Sequence, residues 1–510
     1  MFDLEKMKAK HKMLKEHTYT LGVVDKGYNK RTLHINLSQN EIKEKPVSDQ
    51  MIDKFVGGKG FDLKLLWDAV TPKTKWNDPE NTICIASGPL GGNTNYPGSG
   101  KSIVVTLSPM TGIPIDSNVG GFFGPYLKFS GFDAMEITGK ATADVIVFID
   151  GNKGQIQIFE APDEALDSHI LAEQLTDMFA DNEKEKLHIS VVSAGSAADH
   201  VNMGMLNFSF YDKTRQIARL KQAGRGGIGR VFRDKKIKAI VIKYSGLKVD
   251  TNHPADLETL KETGLKMHRQ INKLDPSQFR MRQVGTANIV NIMNDYDLLP
   301  TKNFKYGSDP QAEKVHSKVL TSMMTQGVSD GCWFGCSLSC CKGVDKFLPR
   351  SGPYKGQPVC VDGPEYETVG ACASNIYVWD PKDCVELNFY CDTYGVDTIS
   401  FGTALAFAME CYEYGIITKE MTGGLDLTWG NADSAFEVLH QMSRGEGFGM
   451  IVGQGVRFMK NWLVTEHKAD ADFLQDIGME LKGLEFSEYV PKESLAQQGG
   501  YSLALKGPQH

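Results

Sequence analysis

Polar and apolar positions alternate over residues 17–47. Thr20-Leu21-Gly22-Val23-Val24 is followed by a polar Lys26-Gly27-Tyr28-Asn29 and then by Leu33-His34-Ile35-Asn36-Leu37. Two such runs around a turn predict a β-hairpin. Short apolar runs at Thr82-Ile83-Cys84-Ile85-Ala86, Ser102-Ile103-Val104-Val105-Thr106, Met135-Glu136-Ile137-Thr138, Val145-Ile146-Val147-Phe148-Ile149 and Ile237-Lys238-Ala239-Ile240-Val241-Ile242 read as further strands. Helical spacing is sparse up to about residue 247, so this part is expected to be β-rich. The pattern changes at Asn252-His253-Pro254. Residues 255–273, 311–326, 381–392, 398–415 and 433–444 carry apolar side chains at helical spacing, separated by Gly and Pro breaks. The expected class is therefore α+β. A β-rich domain covers 1–249, a mostly helical domain 250–477, and a short third segment 478–510. No solenoid repeat is visible.

Composition narrows the function classes. A chain of 510 residues with 41% hydrophobic and 23% charged residues has ample material for a large core. The net charge of -7 and the lack of a long basic run argue against nucleic-acid binding. The N-terminus stays charged through Lys15 and shows no apolar leader. No stretch is apolar for long enough to span a bilayer. The cysteines cluster instead of spreading as a disulfide framework, which places the chain in a reducing cytoplasm.

The densest chemistry is Cys332-Trp333-Phe334-Gly335-Cys336-Ser337-Leu338-Ser339-Cys340-Cys341, which holds four of the ten cysteines. Cys332, Cys336 and Cys340 are spaced four apart, and Gly335 lets the backbone bend. Such runs of thiolates suit an iron–sulfur cluster, whose remaining ligand often comes from far along the chain. Zinc is the alternative, although its sites usually come as paired C-x-x-C hooks. Inert core cysteines are the plainer reading.

Two glycine-rich loops stand out. One runs from Tyr96-Pro97-Gly98-Ser99-Gly100-Lys101 to Asp116-Ser117-Asn118-Val119-Gly120-Gly121. The other is Lys221-Gln222-Ala223-Gly224-Arg225-Gly226-Gly227-Ile228-Gly229-Arg230. Backbone amides beside Lys or Arg suit an anionic phosphate, and tight turns between strands are the alternative. The second loop lacks the preceding strand and the later acid of a nicotinamide site. Among the acids, Glu367 follows Gly363-Pro364 and is expected in the first turn of a helix. Asp392 and Asp397 bracket Gly395; they can accept hydrogen bonds from a heterocycle, or Asp397 can cap the next helix.

These pieces in this order resemble the tungsten-containing aldehyde ferredoxin oxidoreductase family over nearly the whole chain. The likeness rests on Gly57-Gly58-Lys59-Gly60, Gly88-Pro89-Leu90, Ser108-Pro109-Met110-Thr111-Gly112, Gly120-Gly121-Phe122-Phe123-Gly124-Pro125, Leu127-Lys128-Phe129 and Gly224-Arg225-Gly226-Gly227. It continues through Val284-Gly285-Thr286-Ala287, Lys302-Asn303-Phe304, Glu365-Tyr366-Glu367-Thr368, Asp392 to Asp397 and Trp429-Gly430-Asn431.

The resemblance implies two N-terminal sheets cradling a tungsten bis-molybdopterin, with helical domains closing over it. It also implies a [4Fe–4S] cluster on Cys332, Cys336 and Cys340, and a Mg2+ ion bridging the pterin phosphates. Asn118, through its backbone carbonyl, and Gln222 match the residues that hold this ion. Gly120, Gly121, Gly224, Arg225 and Gly226 fall in the pterin loops. Lys101 and Lys221 stand where the family has arginines, which keeps the charge and loses the planar fork. Asp392, Gly395 and Asp397 match the first pterin motif. The implied reaction is oxidation of a small aldehyde to a carboxylic acid, or the reverse. Electrons pass singly to ferredoxin or to an iron–sulfur subunit, in a homo- or hetero-oligomer. Glu367 matches the general base beside the metal and His510 the active-site histidine. The rival readings are a relative reducing another substrate, such as an aromatic acyl-CoA thioester, and, from another class, a non-catalytic scaffold or zinc-binding fragment.

The chain departs from the family pattern in three places. Three residues fill the first cysteine gap, where the family usually has two. No cysteine follows Cys411 to serve as a fourth cluster ligand. The third domain is expected to be present only in its first part, or completed by another chain. Glu386 matches a glutamate that in some members holds a metal between subunits; His440 lies four residues from the expected histidine, one helical turn away.

Overall fold

The computed structural model describes residues 3–248, 252–325 and 331–509. Its contacts divide the chain into two compact units. The first comprises 1–196, 205–274 and 331–338, and the second 197–204, 275–330 and 339–510. The segment carrying Cys332 and Cys336 thus folds with the β-rich unit, while Cys340 and Cys341 fall in the helical one.

The first unit holds thirteen strands in two sheets. They are β1 (Lys12–Thr18), β2 (Arg31–Asn36), β3 (Glu41–Pro46), β4 (Ile83–Ala86), β5 (Ser102–Leu107), β6 (Pro114–Val119), β7 (Ala134–Thr138), β8 (Val145–Asp150), β9 (Gln155–Glu160), β10 (Ile189–Ser193), β11 (Leu206–Asp212), β12 (Ile217–Ala223) and β13 (Ile237–Lys243). The six-stranded sheet runs β3-β2-β7-β4-β5-β6 and the seven-stranded sheet β1-β9-β8-β13-β10-β11-β12. The near-continuous apolar run of β13 is buried at every position and pairs parallel with β8 in the middle of its sheet. Burial on both faces is what such a run demands. The outer strands β1 and β3 are lysine-rich, which discourages further pairing at the edge.

The expected strands at 82–86, 102–106, 135–138, 145–149 and 237–242 are present. The expected hairpin is displaced. Residues 20–24 form no strand, and Val23 is 78% exposed. The hairpin instead pairs β2 with β3, His34 opposite Lys43, around a turn in which Asn40 takes a positive φ. β3 is mostly charged, with Ile42 as its one buried residue, so hydrophobic alternation could not mark it. Arg31 also holds β2 in register, through its guanidinium on Glu44 and on the carbonyls of Thr20 and Gly131.

The second unit is mostly helical. Helices Pro381–Tyr394, Thr398–Glu413 and Ala432–Arg444 lie where the apolar spacing predicted them. Each starts at a capping side chain: Asp380 on Lys382 N–H, Asp397 on Ile399 N–H, Asn431 on Ser434 N–H. Gly395 and Gly445, both at positive φ, end two of them. The Thr398–Glu413 helix is buried all round from Ile399 to Cys411, which makes it the centre of this unit. The 311–326 run is shorter than predicted. Pro310–Lys314 is a tight turn and Ser317–Met323 the helix, ending where Met324 turns extended. No helix among the described residues is long and apolar enough to cross a membrane.

Candidate functional site

In the first unit, β6 and β12 are edge strands of different sheets and lie side by side. Both glycine loops leave from their ends: Val119 leads into Gly120-Gly121, and Ala223 into Gly224-Arg225-Gly226-Gly227, so the second loop does follow a strand, which the sequence reading had not found. The loops are tied together where Ser117 Oγ accepts the Arg225 N–H at 3.3 Å. Gly226, at positive φ, packs so tightly on Ile115 that a Cβ there would stand 2.2 Å from its side chain. Lys59 of the Gly57–Gly60 loop reaches Asp116 at 2.8 Å, and Gly58 N–H donates to the Ser87 carbonyl. Three separated glycine segments, 57–60, 120–121 and 224–227, are therefore joined through β6.

The cysteine segment closes onto the same place. A Cβ on Gly120 would lie 2.8 Å from Cys332 Sγ, and Lys221 Cγ is 3.8 Å from that point. Gly100 is pressed against the Trp333 ring and Gly335 against the backbone of Thr94. Trp333 is 3% exposed and donates its indole N–H to Ser99 Oγ at 3.0 Å. Phe122 packs on both Trp333 and Phe334. Cys332 is thus held against the Gly120 loop by aromatic packing and by the absence of side chains. Side chains at Gly121 and Gly224 would meet nothing within 4 Å, so these two glycines face open space.

In the second unit, Glu367 sits in the first turn of Tyr366–Val369, which runs on into a wider π turn, Gly370–Asn375. Its Oε2 accepts the Glu488 N–H at 2.8 Å. Glu488 is fully buried; its Oε1 accepts from Thr403 at 3.0 Å, and its carbonyl accepts from Tyr366 Oη at 2.5 Å. Burial, then the nearby Glu367 carboxylate, keeps Tyr489 protonated far above the usual phenol range. Asp397 accepts the Ile399 N–H at Oδ1 and the Ser400 hydroxyl at Oδ2, so it caps the helix, as the sequence allowed. Asp392 accepts from Asn388 at 2.8 Å. His510 lies outside the described residues.

The metal-bridging role considered for Glu386 and His440 does not match their setting. Glu386 is 1% exposed and accepts from the Arg350 and Ser351 backbones and from Ser351 Oγ. His440 is 4% exposed, wedged between Ser351 Oγ at 3.0 Å and Tyr394 Oη at 3.1 Å. Burial pushes its imidazole down to about 4. One helical turn along, the histidine has turned into the core and shares Ser351 with the glutamate. Among the described residues, no three His, Cys, Asp or Glu side chains are grouped as a ready metal site.

Comparison with known proteins settles the family. Residues 32–244 match the aldehyde ferredoxin oxidoreductase N-terminal domain, and residues 262–510 match domains 2 and 3 of the same family. The chain is 31% identical over 497 residues to a tungsten-containing aldehyde ferredoxin oxidoreductase of Pyrococcus horikoshii, covering 95% of this chain and 74% of the relative. The chain belongs to the aldehyde ferredoxin oxidoreductase family. It is an oxidoreductase. The relative of the same name from Pyrococcus furiosus is 32% identical over 94% of this chain and 73% of its own length. An aliphatic sulfonate oxidoreductase, WOR-like subunit, of that organism is 29% identical over 84% and 66%. The fold is shared with the active-site complex BamBC of benzoyl coenzyme A reductase, at a TM-score of 0.72 and 20% identity over 91% of this chain and 66% of the other.

The residues of the first unit fit the bulky anionic group that a tungsten-containing family implies. Gln222 Nε2 is buried with no acceptor among the described residues. It lies on β12 opposite Asn207, two residues before Gly224, which faces open space. Lys101 is exposed just before β5, and Asn118 is exposed on β6 opposite Ile103. Trp333, Ser99, Glu488 and Thr403 escaped the sequence reading. Trp333 had a signal, its place between two cysteines; Glu488 had none, because 121 residues separate it from Glu367.

Proposed function

We propose that this chain interconverts an aldehyde and its carboxylic acid and delivers the electrons one at a time to a ferredoxin or an iron–sulfur subunit. A tungsten–bis-pterin supplies two-electron redox chemistry when bound, and a [4Fe–4S] cluster supplies the one-electron relay. The observation that carries this reading is the seat of Gly120 on Cys332 beside two further glycine segments, 57–60 and 224–227. Cys332 and Cys336, with Cys340, would hold the cluster. The amides around Gly120, Gly121, Gly224 and Gly226, with Lys101, Lys221 and Arg225, would hold the phosphates. Asn118 and Gln222 would hold Mg2+, and Asp392 would accept from a pterin N–H. Glu367 is a positioned base: one oxygen is fixed by the Glu488 N–H, and the carboxylate takes a proton from water or from a hydrated aldehyde. His510 would hydrogen-bond the substrate oxygen.

Anaerobic purification with element analysis, followed by aldehyde-dependent reduction of a viologen dye, tests the reading. The expected result is tungsten with about four irons per chain and dye reduction that needs aldehyde. Zinc alone would overturn it. The fold shared with BamBC favours a second reading, an aromatic acyl-CoA substrate. Dye oxidation driven by such a thioester, with no aldehyde activity, would select it.

A further inference from the structure

We propose that the second half of the Leu257–Leu274 helix, with Phe334 beside it, is the docking surface for a small acidic iron–sulfur protein. This rests on the redox reading above and names where its electrons leave. The helix is fastened to the cysteine segment: His268 Nδ1 and Ser337 Oγ are 2.8 Å apart. Gly264 packs against the Asn95 carbonyl of the loop that also backs Gly335 through Thr94. Ser337 follows Cys336 directly, and Phe334 lies three residues before Ser337. Their Cα atoms are therefore at most ~11 Å apart.

The charge on this surface is one-sided. From Leu265 to Leu274 the helix carries Lys266, His268, Arg269 and Lys273 and no acid, in a chain whose net charge is -7; Glu262, one turn before Lys266, and Asp275, just past Leu274, bound this basic stretch. Lys261, one turn earlier, is paired with Glu258 at 3.1 Å. Lys266, Arg269 and Lys273 are exposed and make no ion pair among the described residues. The helix dipole accounts for Lys273 in the last turn, but not for Lys266 and Arg269. Two apolar side chains stand out in the same region: Phe334, 65% exposed and edge-on to Phe122, and Leu265, 50% exposed. Exposed apolar side chains together with cations that make no ion pair fit a partner with the opposite surface charge. Each docking accounts for one electron taken up by the partner's iron–sulfur centre. Two dockings match the two electrons that one aldehyde oxidation releases.

The test uses the anaerobically purified chain, an acidic single-cluster ferredoxin as probe, a Lys266→Glu/Arg269→Glu double variant, and Lys419→Glu as an exposed control elsewhere. Binding is measured by calorimetry at low salt, and reduction of ferredoxin and of viologen is followed with aldehyde. The double variant should bind ferredoxin at least ~10-fold more weakly, lose its salt dependence and keep its viologen rate, with the control unchanged. Unchanged binding in the double variant, or no binding by the parent chain, would overturn the docking surface. Binding needs no turnover, so it is decided even if the parent chain fails to reduce viologen; that failure would count against the aldehyde reading alone.

Discussion

Gly120 and Glu367 mark two regions built on opposite terms. Around Gly120 the chain removes side chains: three glycine segments are joined there, and Cys332 rests against the place a Cβ would take. Around Glu367 it buries them: Glu488, Tyr366 and Thr403 are each under a tenth exposed and hydrogen-bond in one network. A backbone cradle tolerates little added volume and loses little when a charge changes. A buried polar network behaves the other way, because each group removed leaves a partner unsatisfied.

Five substitutions press on this contrast, in order of falling size. Glu367→Gln keeps the volume and removes the base; aldehyde turnover should fall by ~10²–10⁴ while tungsten and iron per chain stay at the parent level. Loss of metal in that variant would make Glu367 a structural residue and blur the distinction. His440 comes next. Its pKa falls from 6.5 unfolded to about 4 folded, through burial. Between these values the unfolded chain binds the extra proton. The contribution is therefore complete above pH 6.5 and is lost as pH falls toward 4, by up to ~3 kcal/mol. His169, in the first unit, is lowered in the same way. Urea midpoints of His440→Gln should therefore lose part of the acid sensitivity between pH 6.5 and 4 and keep the rest. An unchanged pH profile would show that His440 is not held neutral.

Gly120→Ala forces its Cβ to within 2.8 Å of Cys332 Sγ. It should cost ~1–3 kcal/mol in a urea melt and lower bound iron. Gly224→Ala has nothing within 4 Å to strike; its melt should match the parent while tungsten content drops. Equal behaviour of the two glycines would erase the distinction between a packed seat and an open one. Smallest is Thr403→Val, which strips the Glu488 carboxylate of its hydroxyl donor. It should cost ~1 kcal/mol, raise no KM and leave tungsten intact.

Strand and helix positions were readable where burial is uniform, as in β13 or the Thr398–Glu413 helix. They were unreadable where a strand is charged: β3 has one buried residue and β1 none, so pairing with a neighbour defines them. The glycine loops and cysteines could be named because their chemistry is local. Their convergence could not be, since it comes from β6 and β12 standing side by side at the edges of two sheets. His440 shows the limit well: spacing placed it one helical turn from the expected position, and packing between Tyr390 and Tyr394 turned it inward.

Residue order alone was enough for the α+β class, the helical second half, the glycine and thiol chemistry and the kinship with a redox family, because each depends on spacing within a few turns or on motifs kept in order. Which residues meet was left to folding. The hold of Glu488 on Glu367, the seat of Gly120 on Cys332 and the tie from His268 to Ser337 join segments 69 to 212 residues apart. Contacts that distant arise when apolar surfaces choose their partners, and no local pattern encodes that choice.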